Sequence, residues 1–318
     1  MINNFLTYLL ESTICFTIFY SFYKYVFYQS THFVWNRLYF IFVVIISLIV
    51  PLIPFPYSMD SQIAGNNLFM LNPADGSGLL VFANQSTFWS HFNFLSQNPY
   101  FNINNVLLVF YFSGFLRFLI VFIRNNYKIS ELIRNSEIQH FDNYKIAIYN
   151  GNIAAFSWFN YIFVNSDFLT LTPQEQSQIL DHEKIHARQK HSIDVLIYEI
   201  FEIIFWFNPF VSKSKQTLKN IHEYIVDSEI INSNDAQQYS NLLIKLSVAR
   251  PSQAQFNFFA KNPLFDRIWL IAFPTPEKLR KLRFISGIPL LFVVFLSYSF
   301  IISEINRSTN RLQIFKNS

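Results

Sequence analysis

Residues 172–191 read TPQEQSQILDHEKIHARQKH, and this stretch predicts a helix that carries a metal-binding pattern. Thr172 and Glu175 fit the two ends of a capping box, and the proline between them suits the first helical position. The predicted helix then presents His182 and His186 four residues apart. Because residues four apart share one face of a helix, both imidazoles could bind a single metal ion.

Glu183 and Glu223 are the two acidic residues that complete the pattern. Glu183 lies beside His182, where a carboxylate can take a proton from a water that attacks a peptide carbonyl and pass it to the leaving amine. Zinc in a catalytic site holds three protein ligands and leaves a fourth position for that water. Glu223 offers the third ligand beside His182 and His186, and Asp227, one turn later, could hydrogen-bond a metal-bound imidazole. Together the two motifs predict one Zn²⁺ per chain.

A five-residue pattern can also arise by chance on a solvated helix face, and the downstream motif is what favours a metal site here. Cys15 is the only cysteine, so an intrachain disulfide and a thiolate metal site are both excluded. Any metal ion must therefore be held by His, Asp or Glu side chains.

The composition indicates a chain that places much of its surface against lipid. Hydrophobic residues make up 52% of the 318 residues and charged residues 14%, whereas an ordinary soluble domain carries about 25% charged residues. The net charge of +4 is small and scattered, so direct binding to nucleic acid is not expected. The lipid bilayer is the expected partner of the apolar surface.

Four stretches are long and apolar enough to cross, as helices, a hydrocarbon core about 30 Å thick. They are residues 5–28, 38–56, 105–123 and 284–303. The sequence therefore predicts a mainly α membrane protein with four transmembrane helices. Its parts are a three-span region (1–123) with an extracytoplasmic loop (57–104), a cytosolic domain (124–283) between the third and fourth spans, and a short extracytoplasmic tail (304–318).

The basic residues predict the orientation of these spans. Residues 57–104 contain no Lys or Arg, whereas 18 of the 24 Lys and Arg residues lie between Arg124 and Arg283. By the positive-inside rule, the basic segment lies in the cytoplasm and the loop without basic residues lies outside. We expect a multi-pass protein of the cell (inner) membrane with both termini extracytoplasmic.

Two short stretches near the start of the cytosolic domain predict strands. Residues 145–149 and 156–164 are rich in β-branched and aromatic residues. They flank Gly151-Asn152, a pair typical of turns, which predicts two strands ahead of the metal-motif helix.

The apolar stretch 192–211 tests the metal site, because a fifth span there would put Glu223 on the opposite side of the membrane from His182. Three acidic residues interrupt the stretch, and unpaired charges at the centre of a bilayer are expensive. Asn208-Pro209 then breaks it. We expect a buried or membrane-leaning helix that turns the chain back to the metal site.

Three polar residues near the motifs have two interpretations each. Asp194 could accept a hydrogen bond from His186, or it could cap the next helix. His191 could orient substrate, or it could be a partly exposed surface histidine. His222 could stabilise an oxyanion, or it could be a hydrogen-bonded structural histidine.

Several motifs resemble the BlaR/MecR-type membrane metallopeptidases, particularly their Bacteroidetes-like members. The resemblance rests on the run 182–191, on Trp206-Phe207-Asn208-Pro209, and on His222-Glu223-Tyr224 followed by Asp227. Further matches are Phe156-Ser157-Trp158-Phe159, Asn36-Arg37 and the 37 positions from His186 to Glu223.

This resemblance implies a gluzincin-like α+β zinc metallopeptidase domain with its active site at the cytoplasmic membrane face. It also implies signal transduction by regulated cleavage of a cytosolic transcriptional repressor, or of the protein itself. In the family's best-known members a penicillin-binding sensor domain follows the last span. Here residues 304–318 follow the fourth predicted span, so we expect a member without that domain.

Two other functions stay open. One is a Ste24/HtpX-type membrane metallopeptidase, although Ser228 stands after Asp227 where that family usually has Ala. The other is a non-catalytic membrane receptor that keeps a zinc-binding fold, against which the intact Glu183 argues. The residues name neither substrate nor stimulus, and they are equally compatible with a monomer and a homodimer.

Overall fold

The structure is a computed structural model that describes residues 2–27, 32–52, 103–151, 155–231, 236–249 and 263–272. Within these ranges the chain is mostly helical and carries one small sheet. The predicted fourth span at 284–303, the tail at 304–318 and nearly all of the predicted loop at 57–104 lie outside the described residues.

Along the described residues, three helices are followed by four strands and then by five more helices. The helices are α1 (Ile2–Val26), α2 (Phe33–Ile49), α3 (Ile103–Arg134), α4 (Pro173–Arg188), α5 (His191–Ile204), α6 (Pro209–Ile231), α7 (Ala236–Ala249) and α8 (Pro263–Ala272). The strands are β1 (Glu137–His140), β2 (Lys145–Tyr149), β3 (Phe156–Trp158) and β4 (Tyr161–Asn165). Short 3₁₀ helices, Val50–Leu52 and Ser166–Thr170, follow α2 and β4.

Three of these helices, α1, α2 and α3, are long and apolar enough to cross a membrane. They overlap the first three predicted spans, although α2 begins earlier than predicted. α3 also continues as one helix beyond the predicted end of its span at residue 123. Its last turns pack Ile129, Leu132 and Ile133 against the sheet residues Ala147 and Phe163. The same helix therefore leads from the apolar bundle into the sheet.

α1 and α2 pack against each other as an antiparallel pair. The Tyr8 hydroxyl donates a hydrogen bond to the Leu48 carbonyl (2.9 Å), and the Tyr39 hydroxyl donates to the Phe19 carbonyl (2.7 Å). Hydrocarbon offers no hydrogen-bond partners, so hydroxyl groups in such helices gain from bonds made within the protein. The end of α1 and the beginning of α2 lie at the same end of the pair.

The sheet has the strand order β1-β2-β4-β3, in which β2 and β4 are parallel and the outer pairs are antiparallel. The predicted strand at 145–149 is confirmed as β2. The predicted single strand at 156–164 is wrong, because Phe159 adopts a left-handed backbone (φ 50°) and turns the chain between β3 and β4. β3 therefore lies at an edge of the sheet, beside α4.

The helix with the metal motif, α4, begins where the capping box predicted. The Thr172 hydroxyl accepts from the backbone N–H of Glu175, and the Glu175 carboxylate accepts from the backbone N–H of Thr172 at 3.0 Å. These bonds satisfy N–H groups that a first helical turn leaves unpaired. Lys190 then adopts a left-handed conformation (φ 56°) and directs the chain into α5.

α5 and α6 form a helical hairpin that returns the chain to α4. Asn208 caps α6, because its Oδ1 accepts from the backbone N–H of Phe210 at 2.9 Å. Pro209 occupies the first helical position, where a missing N–H costs nothing. The stretch 192–211 is thus a helix and a turn, as expected, and Glu223 comes back to α4.

The hairpin contacts α3 closely at Gly114. A Cβ at this position would lie 2.1 Å from Cε2 of Trp206, whose Nε1–H donates to the Tyr111 carbonyl at 3.2 Å. Alanine normally stabilises a helix relative to glycine by about 1 kcal/mol. Here we expect Gly114→Ala to lower the free energy of unfolding by about 1–3 kcal/mol through overpacking, measured by denaturant unfolding in detergent micelles.

The matched control for this prediction is the double variant Gly114→Ala/Trp206→Phe. A smaller ring relieves the clash, so the double variant should lose less stability than the sum of the two single variants. Additive losses would contradict the assignment of this contact as the limiting one.

Candidate metal centre

Three side chains from two helices present ligand atoms to one point. His182 and His186 lie one turn apart on α4, and Glu223 lies on α6. The two Nε2 atoms are 3.1 Å apart, and each lies 3.4 Å from an oxygen of the Glu223 carboxylate. The histidine side chains are 13% exposed and that of Glu223 is 33% exposed, so the three groups meet in a partly open position.

This spacing fits a tetrahedral zinc ion. Ligand atoms held about 2.0–2.1 Å from a tetrahedral ion lie about 3.3 Å from one another. Two imidazole nitrogens and one carboxylate oxygen are also a ligand set that zinc uses in catalytic sites, with the fourth position open. Within the described ranges, no other group of three His, Cys, Asp or Glu side chains is arranged in this way.

Tyr239 connects His182 to Asp227. The Tyr239 hydroxyl donates to Asp227 Oδ1 at 2.8 Å, so its oxygen accepts the Nδ1–H of His182, also at 2.8 Å. The tautomer assigned by this network leaves a lone pair on Nε2 of His182, where a ligand atom is needed. Asp227 therefore reaches His182 through Tyr239, where a direct contact was expected.

His191 sets the tautomer of His186 in the same way. Its Nε2–H donates to Gln189 Oε1 at 3.2 Å, which leaves its Nδ1 to accept the Nδ1–H of His186 at 2.9 Å. Burial, with a further contribution from the charge of His182, lowers the pKa of His186 to about 3. The neutral imidazole is the form that binds a metal ion. His191 is only 3% exposed, so the interpretation as a partly exposed surface histidine is wrong.

Glu183 is buried beside His182, with 8% of its surface exposed. Burial raises the pKa of its carboxyl group, and the Ser157 hydroxyl on the edge strand β3 hydrogen-bonds to the carboxylate. A general base works best when its pKa lies close to the operating pH. The burial of Glu183 therefore moves its pKa in the direction that suits proton transfer.

Arg267, on α8, binds both acidic residues of the α6 motif. Its Nε and Nη2 donate to the two oxygens of Asp227 at 2.8 and 2.7 Å, and its Nη1 lies 2.9 Å from Glu223 Oε2. Burial alone would raise the pKa of Glu223, but the neighbouring His182 and the charge of Arg267 hold it well below its usual range. Glu223 is therefore an anion, the form that ligates a metal.

Asp194 connects this group to the apolar helix α2. Its Oδ2 accepts from Arg37 Nε at 2.6 Å and from His222 Nε2 at 2.9 Å. Arg37 also donates to the backbone carbonyl of Gln189 at 2.8 Å, next to the end of α4. The partners of Asp194 are therefore Arg37 and His222, where His186 was expected.

His222 is held between Asp194 and a second imidazole. It is 2% exposed, and its ring stacks on His191 with centroids 4.0 Å apart. Burial lowers its pKa, so the ring is neutral and its Nε2–H is already given to Asp194. A neutral ring in this state has only an acceptor at Nδ1. The contacts support the structural interpretation of His222 rather than donation to an oxyanion.

A cavity of about 800 Å³ opens beside the three donor groups. Glu183, His222 and Arg267 contribute polar groups to its lining, and β3 contributes Phe156 and Trp158. Much of the remaining lining is apolar: Phe168, Leu171, Ile179, Leu242, Leu246 and Leu264. The cavity is therefore large enough for several residues of a peptide and offers apolar pockets for side chains.

A comparison with protein families identifies the chain. The family described as BlaR1 peptidase M56 matches residues 12–271, which include all three donor residues and most of α1, α2 and α3. The chain belongs to this family. M56 proteins are of a metallopeptidase type, which implies a bound metal ion, and the His182, His186 and Glu223 group is where such an ion fits in this chain.

Two relatives of this M56 protein are similar to a smaller part of it. The methicillin resistance mecR1 proteins of Staphylococcus aureus and Staphylococcus epidermidis are each 26% identical to it over 125 residues. The match covers 36% of this chain and 21% of the length of each relative. The predicted membership of the BlaR/MecR-type family is confirmed.

Four residues contribute to the site although no role was predicted for them: Arg37, Ser157, Tyr239 and Arg267. Ser157 and Arg37 lie in stretches that resemble the family, so a signal for them existed. Tyr239 and Arg267 follow Glu223 by 16 and 44 residues, with no local pattern that marks them. Only the packing of α7 and α8 against α6 brings their side chains to the ligands.

The network through Tyr239 predicts that its hydroxyl supports metal binding. Tyr239→Phe removes the acceptor for the Nδ1–H of His182 and should weaken zinc binding by about 10- to 100-fold. Competition with a chromogenic chelator measures this change. Tyr127→Phe, at an exposed tyrosine on α3, is the matched control and should leave the affinity unchanged. Equal affinities in the two variants would contradict the assigned tautomer.

Proposed function

We propose that the protein is a membrane-embedded zinc metallopeptidase that hydrolyses peptide bonds at the cytoplasmic membrane face. The proposal is carried by the convergence of His182, His186 and Glu223 at tetrahedral spacing, with the buried carboxylate of Glu183 beside them. The three converging residues are assigned as ligands of one Zn²⁺ and Glu183 as the catalytic base. Membership of the M56 family supports this assignment.

An extended peptide is the substrate that suits the cavity. β3 pairs with β4 on one side, and the described residues place no strand on its other side. A peptide can add to such an edge through backbone hydrogen bonds, with side chains directed into neighbouring pockets. The added strand would lie along the cavity beside His182, and apolar positions such as Phe168 and Leu242 would contact its side chains.

Each residue around the donor groups has a separate role in the proposed hydrolysis. When bound, Zn²⁺ would act as a Lewis acid on the peptide carbonyl and lower the pKa of a water molecule. Glu183 accepts the proton of the attacking water and delivers it to the nitrogen of the leaving amine, so the proton is conserved. Ser157 orients the Glu183 carboxylate, while Tyr239 and His191 fix the rings of the two histidine ligands.

The role assigned within this proposal is signal transduction by cleavage of a cytosolic transcriptional repressor or of the protein itself. Membership of the BlaR/MecR-type family, for which the resemblance implies regulated cleavage, supports this role. The proposal includes a fourth span at 284–303, a peptidase domain (124–283) in the cytoplasm and both termini outside. The basic residues that flank α1, α2 and α3 support this orientation.

Two variants of the detergent-purified protein separate metal binding from catalysis. Glu183→Gln keeps the ligands and should bind zinc as the wild type does, but its rate of hydrolysis should fall by about 10²- to 10⁴-fold because the base is lost. Glu223→Ala should lose zinc as well as activity. Metal content is measured by atomic emission, and hydrolysis with a quenched fluorescent peptide library.

The outcomes distinguish the proposal from its alternatives. A wild-type protein that binds zinc but cleaves no peptide, with the same signalling in Glu183→Gln, would favour a non-catalytic receptor. Equal zinc content in wild type and Glu223→Ala would show that Glu223 is not a ligand.

The hydrogen bond from Ser157 predicts a positioning role for this residue. Ser157→Ala should lower kcat by about tenfold, the effect of losing one hydrogen bond to a charged group. Zinc affinity should not change, and Ser157→Thr, which keeps the hydroxyl, should restore most of the rate. A loss of zinc in Ser157→Ala would instead indicate a structural defect at the centre.

A further inference from the structure

The tip of the α5–α6 hairpin, residues 204–210, lies among the apolar helices rather than beside the sheet. Trp206 packs on Gly114 of α3 and donates to the Tyr111 carbonyl at 3.2 Å. Asn208 Nδ2 lies 3.4 Å from the Thr17 hydroxyl of α1. Phe205, at the end of α5, is fully buried in the same cluster.

The depth of this tip follows from the number of residues that separate it from a charged residue on each of two helices. On α3, Gly114 precedes the basic residue Arg124 by ten residues (124 − 114), or about 15 Å of helix. On α5, Ile204 follows Asp194, the partner of Arg37, by ten residues (204 − 194), or about 15 Å, and Trp206 lies two residues further along, in the turn. Half of a hydrocarbon core about 30 Å thick is about 15 Å. Both counts therefore place the tip near the middle of the bilayer that α3 can cross.

Several backbone groups of the tip find hydrogen-bond partners within the protein. The Asn208 N–H donates to the Phe205 carbonyl at 2.9 Å, and the Phe210 N–H donates to Asn208 Oδ1 at 2.9 Å. The Tyr111 hydroxyl donates to the Ile204 carbonyl at 3.0 Å. Pro209 has no N–H to satisfy. Interrupted helices are tolerated at membrane depth only where the protein itself supplies such partners.

Two acidic residues of the hairpin, Asp194 and Glu202, form ion pairs within the protein. Glu202 on α5 forms an ion pair with Lys215 on α6, and both side chains are at most 20% exposed. Asp194 pairs with Arg37 of α2. Pairing removes most of the cost that isolated charges would have inside hydrocarbon. These charges argued against a full span, but they are compatible with a hairpin that enters and leaves on one side.

The outer face of α5 carries a stripe of large apolar side chains. Ile193 and Ile200 lie two helical turns apart on α5, and Phe207 follows in the turn beyond its end; their side chains are 38%, 47% and 39% exposed. Near the tip this stripe continues into the apolar face of α3, where Phe110 is 62% exposed and lies 5.4 Å from the Trp206 ring, centroid to centroid. The two faces form one continuous apolar surface.

We propose that the α5–α6 hairpin is a re-entrant membrane element. Its tip enters the hydrocarbon core beside α3, and lipid chains contact the stripe formed by Ile193, Ile200 and Phe207. Continuity with the exposed face of α3 is the reason for choosing lipid as the occupant. This placement concerns the bilayer and does not depend on the proposed peptidase activity.

The same geometry fixes the height of the metal centre. Glu223 follows Pro209 by fourteen residues (223 − 209), or about 21 Å of helix. With the tip about 15–18 Å deep, Glu223 lies about 3–6 Å above the hydrocarbon boundary. The centre therefore sits where water meets lipid headgroups, and a substrate must reach it along the membrane surface.

Site-directed spin labelling tests the placement, because the chain has a single cysteine. Cys15→Ser provides a cysteine-free parent, into which cysteine is introduced singly at Ile193, Ile200 or Phe207. Phe42, exposed on α2, gives the lipid reference, and Thr170, exposed after β4, gives the water reference. Each nitroxide-labelled protein is reconstituted in phosphatidylethanolamine–phosphatidylglycerol vesicles. Power saturation then compares collisions with oxygen and with a nickel complex.

We expect the labels at Ile200 and Phe207 to match Phe42, with high oxygen and low nickel collision rates, and the label at Ile193 to fall between the references. Nickel collisions at Phe207 as frequent as at Thr170 would overturn the proposal, because the tip would then lie in water. Low collision rates with both reagents at Ile200 and Phe207 would also overturn it. That result would mean that protein, from this chain or a second copy, covers the stripe. Thermal unfolding of each labelled variant against the parent checks that the three positions tolerate the label.

Discussion

Glu223 has to meet two imidazoles on another helix, and this requirement accounts for the path of the chain through α5 and α6. Its carboxylate must come within 3.4 Å of both imidazoles although 37 positions separate it from His186. A continuous apolar helix through residues 192–211 would carry it away from α4. The turn at Asn208-Pro209 prevents this, since it ends one helix and caps the next. α5, the turn and α6 together bring the third donor group, the Glu223 carboxylate, back to α4.

The carboxylate of Asp194 also connects the donor group to the apolar helix α2. Asp194 binds Arg37 of α2 and His222 of α6 at the same time, and it is 4% exposed. A buried carboxylate that loses one of two cationic or N–H partners is strongly destabilised, because its charge is no longer compensated. Asp194 therefore fixes the positions of α2, α5 and α6 relative to one another near the metal centre. A shift of α2 would move His222, the residue next to Glu223.

Features that depend on residues close together in the chain could mostly be predicted from the sequence. The capping box of α4 and the two histidines on one face are local features, and the structure has them where the residues predict. The hairpin turn was also predictable, because asparagine followed by proline is a local signal. The split of 156–164 into two strands was missed, since aromatic residues continue through the turn and only the backbone of Phe159 reveals it.

The contacts of the polar residues were harder to predict than their identities. His191 was expected at the surface, yet packing against His186 and His222 buries it. Tyr239 and Arg267 carry no local pattern, because they reach the centre from helices that lie far along the chain. The fourth predicted span lies outside the described residues and stays a prediction.

The place of Arg267 in the chain has a consequence for the order of synthesis. The chain is made from its N-terminus, and domains begin to fold as they emerge from the ribosome. His182, Glu183 and His186 emerge first, Glu223 later, and the guanidinium that binds both Glu223 and Asp227 later still. A nascent chain that ends before α8 lacks the cation that neutralises this acidic pair. The centre therefore matures only after the three long apolar helices α1, α2 and α3 have been made.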